Sequence, residues 1–239
     1  MLFRSQTNIP GLFAAGECDY AYHGANRLGA NSLLSASFSG VIAGEAVCLY
    51  VQNQAPGEPV KSSVAETEVK RQQEINTGLM SRSDGENPYT LHAELGKIMQ
   101  DDVRVERSNE GLDRALQGLA ELKQRAKNLS LDDKSTWANA GLPYARQVQD
   151  MIVLGEVIAK SARMRDECRG SHYKPEFELK MPDAKPGSPE YDAYIKTWKS
   201  NNEKWLKISI AKDTEAGPEI EYKVPDQSVF PPEIPRDYR

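Results

Sequence analysis

Apolar positions recur along this chain with more than one spacing, and the changes of spacing divide it. The run Gly11-Leu12-Phe13-Ala14-Ala15-Gly16 follows the turn signal Asn8-Ile9-Pro10 and is bounded by glycines. A short continuous apolar run of this kind predicts a buried strand. Such a strand needs neighbours on both sides, and none precedes it, so the chain reads as the C-terminal portion of a longer protein. Met1-Leu2-Phe3-Arg4-Ser5 lacks the apolar core and cleavage site of a signal peptide. It is expected to be an assembly artefact rather than natural coding sequence.

A helix is expected to open near Asn31-Ser32 after a glycine-rich loop, with small side chains such as Ser39, Gly40, Ala43 and Gly44 that let another surface approach closely. Its most apolar stretch, Val41 to Val51, is interrupted by Gly44 and Glu45. No apolar run approaches the roughly 20 residues of a bilayer span, so membrane association is expected only through partners. Residues 6–52 thus form a first unit with α/β character. The polar, Pro- and Gly-containing stretch Gln52 to Pro59 marks the clearest boundary, a linker over 53–61.

Beyond it the period becomes helical, and residues 62–172 read as a bundle. A charged helix runs from Ser62 or Ser63 to about Arg82, and Asp84-Gly85 breaks it. Asn87-Pro88 then supplies a cap and a proline at the first helical position. A third helix starts near Ser108-Asn109, with Leu112, Leu116, Leu119 and Leu122 in one stripe. A fourth, from about Leu142 to Cys168, places Val148 and Ile152 inward and has Gly170 as its expected stop. The tail, 173–239, is Pro-rich, with a helix over Tyr191 to Leu206. Two short strands, Ile208 to Ala211 and Glu219 to Tyr222, join through Ala216-Gly217-Pro218, and Phe230 to Pro235 is expected to be extended.

Composition narrows the function classes. The net charge of −5 gives no reason to expect nucleic-acid binding. Three cysteines, scattered and in no CxxC pair, argue against a disulfide framework or a zinc site and fit a reducing cytoplasm. The three histidines are equally dispersed, so no metal site is expected.

Chemistry concentrates in Gly16-Glu17 and in His23-Gly24-Ala25-Asn26-Arg27-Leu28-Gly29-Ala30-Asn31-Ser32-Leu33-Leu34. This order puts a carboxylate at a strand end, where open α/β sheets bind ligands. It then delivers a guanidinium on a glycine-flanked loop and opens a helix whose first N–H groups favour an anion. There is no GxGxxG and no P-loop in the chain.

Those residues closely resemble the flavin-binding C-terminal motif of the succinate dehydrogenase/fumarate reductase flavoproteins. Glu86-Asn87-Pro88-Tyr89, Arg165 to Tyr173 and Glu203 to Lys207 are similar to later landmarks of the family, strongest for its bacterial, cytochrome-b-associated branch, and the likeness extends to about residue 212. The resemblance implies that 6–52 is the end of a Rossmann-like FAD-binding domain. It implies FAD as the cofactor, with Glu17 bonding its ribityl or ribose region; the plain alternative is a capping carboxylate. Ser32 and Leu33 would meet the pyrimidine edge of the isoalloxazine with backbone N–H groups, or Ser32 would be an ordinary helix cap. Arg27 would bind a carboxylate of succinate or fumarate, the alternative being a salt bridge to Asp19 or Glu17. His23 is read as shaping the loop through a hydrogen bond. Arg163 and Arg165 are read as capping a helix C-terminus, and Arg169 as packing between domains.

No catalytic residue is expected in this chain. The proton-transferring arginine, the substrate histidine, the phosphate-binding glycines and any covalent-FAD histidine belong upstream in the family, so the chain alone should be inactive. The resemblance implies a succinate:quinone oxidoreductase passing electrons to an iron–sulfur subunit and a membrane cytochrome b, peripheral on the cytoplasmic face of the inner membrane. Fumarate reductase and L-aspartate oxidase are the enzymatic alternatives. The non-catalytic one is a helical docking module for an iron–sulfur partner.

Overall fold

The computed structural model describes residues 5–19, 23–54, 61–214 and 216–228. Met1 to Arg4, most of the linker and the segment Phe230 to Pro235 lie outside the described residues. The chain divides into two compact units. The first is Met1–Lys70 with the three-residue strap Arg169–Ser171; the second is Arg71–Cys168 with His172–Arg239. The described residues are mainly helical, with one two-stranded sheet.

In the first unit the expected buried strand over 11–16 does not form. Gln6 and Phe13 make a single antiparallel bridge, and Leu12 is exposed. The physical reason is the one that marked the strand as incomplete: no further strand among the described residues lies beside it to take its ladder bonds. Helix α1, Asn31–Asn53, carries the unit. Its buried residues are Ser39, Ala43 and Ala46, one narrow stripe, while Leu33, Phe38, Val41 and Val51 on its other faces are exposed. With mean hydropathy 1.5, α1 is long and apolar enough, by length and composition, to cross a membrane. That corrects the expectation that no segment approaches such a length. Counting from Val41 omitted the turns that hold Leu33, Leu34 and Phe38, and Glu45 is the helix's single charge.

Helix α2, Ser62–Ser81, spans the division between the units. The second unit's core is built by α3, Pro88–Ile98, α4, Asn109–Arg125, and α5, Gly141–Arg163. Sequence-encoded caps set the first two. Asn87 Oδ1 accepts the Tyr89 N–H at 2.8 Å, and Ser108 Oγ accepts the Gly111 N–H at 3.0 Å. Leu91, Leu112, Leu119, Val148 and Ile152 are buried where these helices meet, and Gly155 on α5 lets it approach closely enough that a Cβ there would lie 3.2 Å from Leu119. A π turn, Met99–Val103, continues α3 and was not foreseen. At the opposite end, Arg125 bonds the carboxylates of both Glu86 and Glu94, each of which it holds below the usual carboxylate range.

Helix α5 ends at Arg163, five residues short of the expected Cys168, and Gly170 is not its stop. Past α5 the chain forms a polar knot instead. Lys174 is wholly buried, and its ammonium donates to Asn109 Oδ1 at 2.7 Å and Asp166 Oδ1 at 3.0 Å. Burial pushes its pKa down and the Asp166 carboxylate partly restores it. Arg165 is no helix cap. It pairs with buried Glu167, donates to the carbonyls of Trp205 and Lys207, and lies between the rings of Trp205 and Tyr222. It thereby anchors α6, Pro189–Trp205, and the antiparallel hairpin of β1, Ile208–Lys212, and β2, Glu219–Lys223. Arg163 does pair with a carboxylate, Asp113 at 2.7 Å. His172 accepts from Arg107 at its Nδ1, 2.7 Å, and donates from its Nε2 to the Arg165 carbonyl at 2.9 Å. Both bonds require the neutral ring, because Nδ1 must stay unprotonated.

Two consequences follow for stability. Removing Arg165 takes one charged partner from the buried Glu167 and the donors from the Trp205 and Lys207 carbonyls, a loss of roughly 1.5–3 kcal/mol; Arg165→Ala should make residues 206–223 protease-sensitive while α3 to α5 stay protected. Burial, opposed by the bond to the Arg165 carbonyl, holds the His172 pKa below its usual 6.5. Its contribution is therefore full above about pH 6.5 and is lost as pH falls through the lowered folded value. Denaturant titrations should show stability falling with acidification through this window, and a shallower fall in His172→Gln.

Candidate functional site

The site lies in the first unit, around the N-terminus of α1. Ala30 precedes the helix in the left-handed conformation, φ 66°, and its side chain makes no capping bond. The Ser32 and Leu33 N–H groups are therefore left without intrahelical partners, and both residues are exposed, Leu33 by 81%. Ser32 is not the cap; it sits one position inside the helix.

Behind this terminus runs a seam of serines. Ser39, fully buried, accepts the Gly16 N–H at 2.7 Å and donates to the Ala36 carbonyl at 3.1 Å. Ser35 donates to the Ser32 carbonyl at 2.9 Å and meets His23 Nε2 at 2.9 Å. His23 thus ties the loop to α1, the loop-shaping part expected of it. Ser35 and Ser39 were missed in the sequence. Their spacing from Ser32, three and seven residues on, was the available signal, since those positions share one helix face.

Glu17 is exposed in a short 3-10 turn, Glu17–Asp19. Arg27 is exposed on the loop between His23 and Ala30. Neither makes a hydrogen bond or ion pair among the described residues, so the capping carboxylate and the salt bridge to Asp19 or Glu17 that were their plain alternatives are not formed there. The structure brings Ser32 and Leu33 together at one helix end and places Arg27 on the loop that leads into it.

Donor chemistry here suits the oxygen- and nitrogen-rich edge of a flavin: two free backbone donors, the positive end of a 23-residue helix and no acidic residue in its first turn. Gly29, on the loop just before α1, has open space where a Cβ would stand. What fits is one wall of a site; the glycines that would cradle the phosphates of FAD are absent from the sequence.

Comparison with known proteins decides the family. Residues 92–238 match the family described as fumarate reductase flavoprotein C-term, and residues 3–33 match the FAD binding domain. The chain belongs to the succinate dehydrogenase/fumarate reductase flavoproteins. It is 40% identical to the succinate dehydrogenase flavoprotein subunit of Bacillus subtilis over 99% of its own length, and it spans 37% of that protein. Among solved structures it resembles E. coli quinol fumarate reductase, with TM-score 0.77, 28% identity, and coverage of 96% of this chain and 36% of that one. It also resembles Mycobacterium smegmatis Sdh1 in complex with UQ1, with TM-score 0.72, 29% identity, and coverage of 95% and 34%. The match to the FAD binding domain stops at Leu33, the residue whose N–H closes the helix end described above. FAD is the cofactor of the family.

The link between Gly16 and Ser39 can be tested alone. Ser39→Ala leaves the half-buried Gly16 N–H without its acceptor, a cost of about 0.5–1.5 kcal/mol. Thermal unfolding of the full-length flavoprotein should show the corresponding loss of stability, and Ser39→Thr should recover part of it.

Proposed function

We propose that this chain is the C-terminal part of the flavoprotein subunit of a succinate:quinone oxidoreductase, and that residues 6–52 close one side of its Rossmann-like FAD domain. The observation that carries the reading is Arg27, an exposed guanidinium with no carboxylate partner among the described residues, on the loop that feeds an uncapped helix N-terminus. When bound, FAD supplies the acceptor for a hydride from succinate. The chain's residues do the rest of what is assigned to them. Arg27 pairs bidentately with one substrate carboxylate, which its planar fork and permanent charge suit. Fixing that carboxylate orients the methylene carbons toward the flavin. The Ser32 and Leu33 N–H groups bond the pyrimidine edge, and Glu17 bonds the ribityl or ribose region.

The positive end of α1 favours negative charge at that edge. A helix terminus contributes up to ~2 kcal/mol, on the order of 40 mV for a two-electron couple. That is a tuning effect, not the source of reactivity. Arg27 orients the substrate, while proton transfer and phosphate binding fall to the part of the protein that this chain does not span.

The same reading covers α1. Its exposed apolar faces suit burial beneath the rest of the FAD domain, because its first turn already belongs to the segment that matches that domain. Neighbours solved with UQ1 and with menaquinol favour a quinone-linked enzyme, and an iron–sulfur subunit and a membrane cytochrome b are the partners that the family resemblance implies. A peripheral position at the cytoplasmic face of the inner membrane rests on that resemblance as well. The relatives include both succinate dehydrogenase and fumarate reductase flavoproteins, and succinate oxidation is favoured by the B. subtilis likeness along nearly the whole chain.

Arg27→Lys in the full-length subunit keeps the charge and removes the fork. It should retain its flavin and lose roughly 10- to 150-fold in kcat/KM for succinate, the worth of a charge-assisted hydrogen bond. Wild-type kinetics in that variant would remove Arg27 from the substrate site.

A further inference from the structure

The loop that bears Arg27 is anchored at both ends. His23 bonds Ser35 at one end, and at the other Ala30 turns through the left-handed region into α1. Between those anchors the loop's own glycines leave it slack, since a Cβ at Gly24 or Gly29 would meet nothing within 4 Å. Arg27 itself makes no bond to another described residue that would steady it.

One element does press on this stretch. The strap Arg169–Ser171 belongs to the first unit although it follows α5 in sequence. Gly170 lies so close to the loop that a Cβ there would stand 2.3 Å from the Ala25 carbonyl oxygen, 2.5 Å from its carbon and 2.9 Å from Ala25 Cβ. These are mainly backbone atoms, which cannot swing aside as a flexible side-chain end would. Gly170 also has φ +59°, a conformation that other residues adopt at a cost. Two independent demands therefore exclude a side chain at Gly170, and one of them, the contact with Ala25, bears on a point two residues before Arg27.

We infer that Gly170 is a positioning residue for the dicarboxylate site: by allowing the strap to lie directly against Ala25, it sets the height of the loop from which Arg27 reaches the substrate. The inference rests on Arg27 binding the substrate carboxylate. A methyl at Gly170 must separate strap and loop by ~1 Å to reach ordinary contact, and a displacement of that size in a substrate-orienting group costs on the order of 10²-fold in rate. The flavin contacts at Ser32 and Leu33 lie beyond the Ala30 turn, in the helix proper, and should be spared.

The experiment is kinetic, on the full-length flavoprotein in its assembled complex, with Gly170→Ala beside Gly187→Ala. Gly187 has φ +87° and open space around a built Cβ, so it carries the strain of a left-handed alanine without the contact. Gly170→Ala should keep its flavin and potential, raise KM for succinate, weaken malonate inhibition in parallel and lower kcat/KM 10- to 100-fold; Gly187→Ala should match wild type. Wild-type KM and malonate affinity in Gly170→Ala would overturn the inference, and so would an equal change in Gly187→Ala. If Arg27→Lys is impaired and Gly170→Ala is not, the inference alone fails; if Arg27→Lys matches wild type, the underlying reading fails. Should Gly170→Ala not accumulate, hydrogen exchange in the wild-type complex decides the matter. Malonate should slow exchange in residues 169–171 together with 23–30, and protection of the loop without the strap would refute the coupling.

Discussion

The hydrogen bond from the Gly16 N–H to Ser39 Oγ is the constraint on which the proposed site depends. It fastens the turn that carries Glu17 to the buried stripe of α1. With that contact fixed, His23 is held by Ser35 one helical turn closer to the terminus, and residues 23–30 form the short loop that feeds α1. Arg27 is at the exposed part of that loop. The chain must then enter α1 through Ala30 in a left-handed turn, which leaves the helix end without a side-chain cap. Elsewhere an uncapped terminus is a defect. Here it is consistent with a ligand that supplies the missing acceptors.

The helical unit solves a different problem. Its core is made of leucine and valine stripes, but its ends are held by charge. Arg125 bridges Glu86 and Glu94 at one end. At the other, past the end of α5, Arg165 pairs with the buried Glu167 carboxylate and two carbonyls, and the buried Lys174 pairs with the half-exposed Asp166 carboxylate. Groups of this kind are costly to bury and costlier to leave half paired. They specify where the tail docks more than they add to net stability. Neutral His172 is part of the same arrangement, since a second ring proton would turn its bond from Arg107 into a repulsion between cations.

The legible parts of the chain were those with local causes. Asn87-Pro88, Ser108 and the stripe Leu112, Leu116, Leu119, Leu122 predict helix starts and faces, and the structure has them. The hairpin between Ile208 and Lys223 is equally local. The failures have non-local causes. The apolar run at 11–16 has strand composition, yet strand formation depends on partners that this stretch of chain does not provide. Gly170 looked like a helix stop because glycine commonly is one; its actual demand comes from Ala25, which no sequence window joins to it. Arg165 looked like a cap for the same reason, although its partners lie near Trp205 and Lys207. Within the site, Glu17, Arg27, Ser32 and Leu33 stood out through the dense motif that carries them. Ser35 and Ser39, which hold that motif in shape, did not, because a serine in a helix has several unremarkable uses.

The central claim is that the helix end and Arg27 face two different ligands, a flavin edge and a dicarboxylate. A structure of the full-length flavoprotein with FAD and malonate tests it most directly. The account predicts the Ser32 and Leu33 N–H groups within hydrogen-bond reach of the flavin's pyrimidine edge, with the Arg27 guanidinium paired to malonate. A flavin lying away from the start of α1, or Arg27 bonded to a protein carboxylate with malonate held elsewhere, would contradict it.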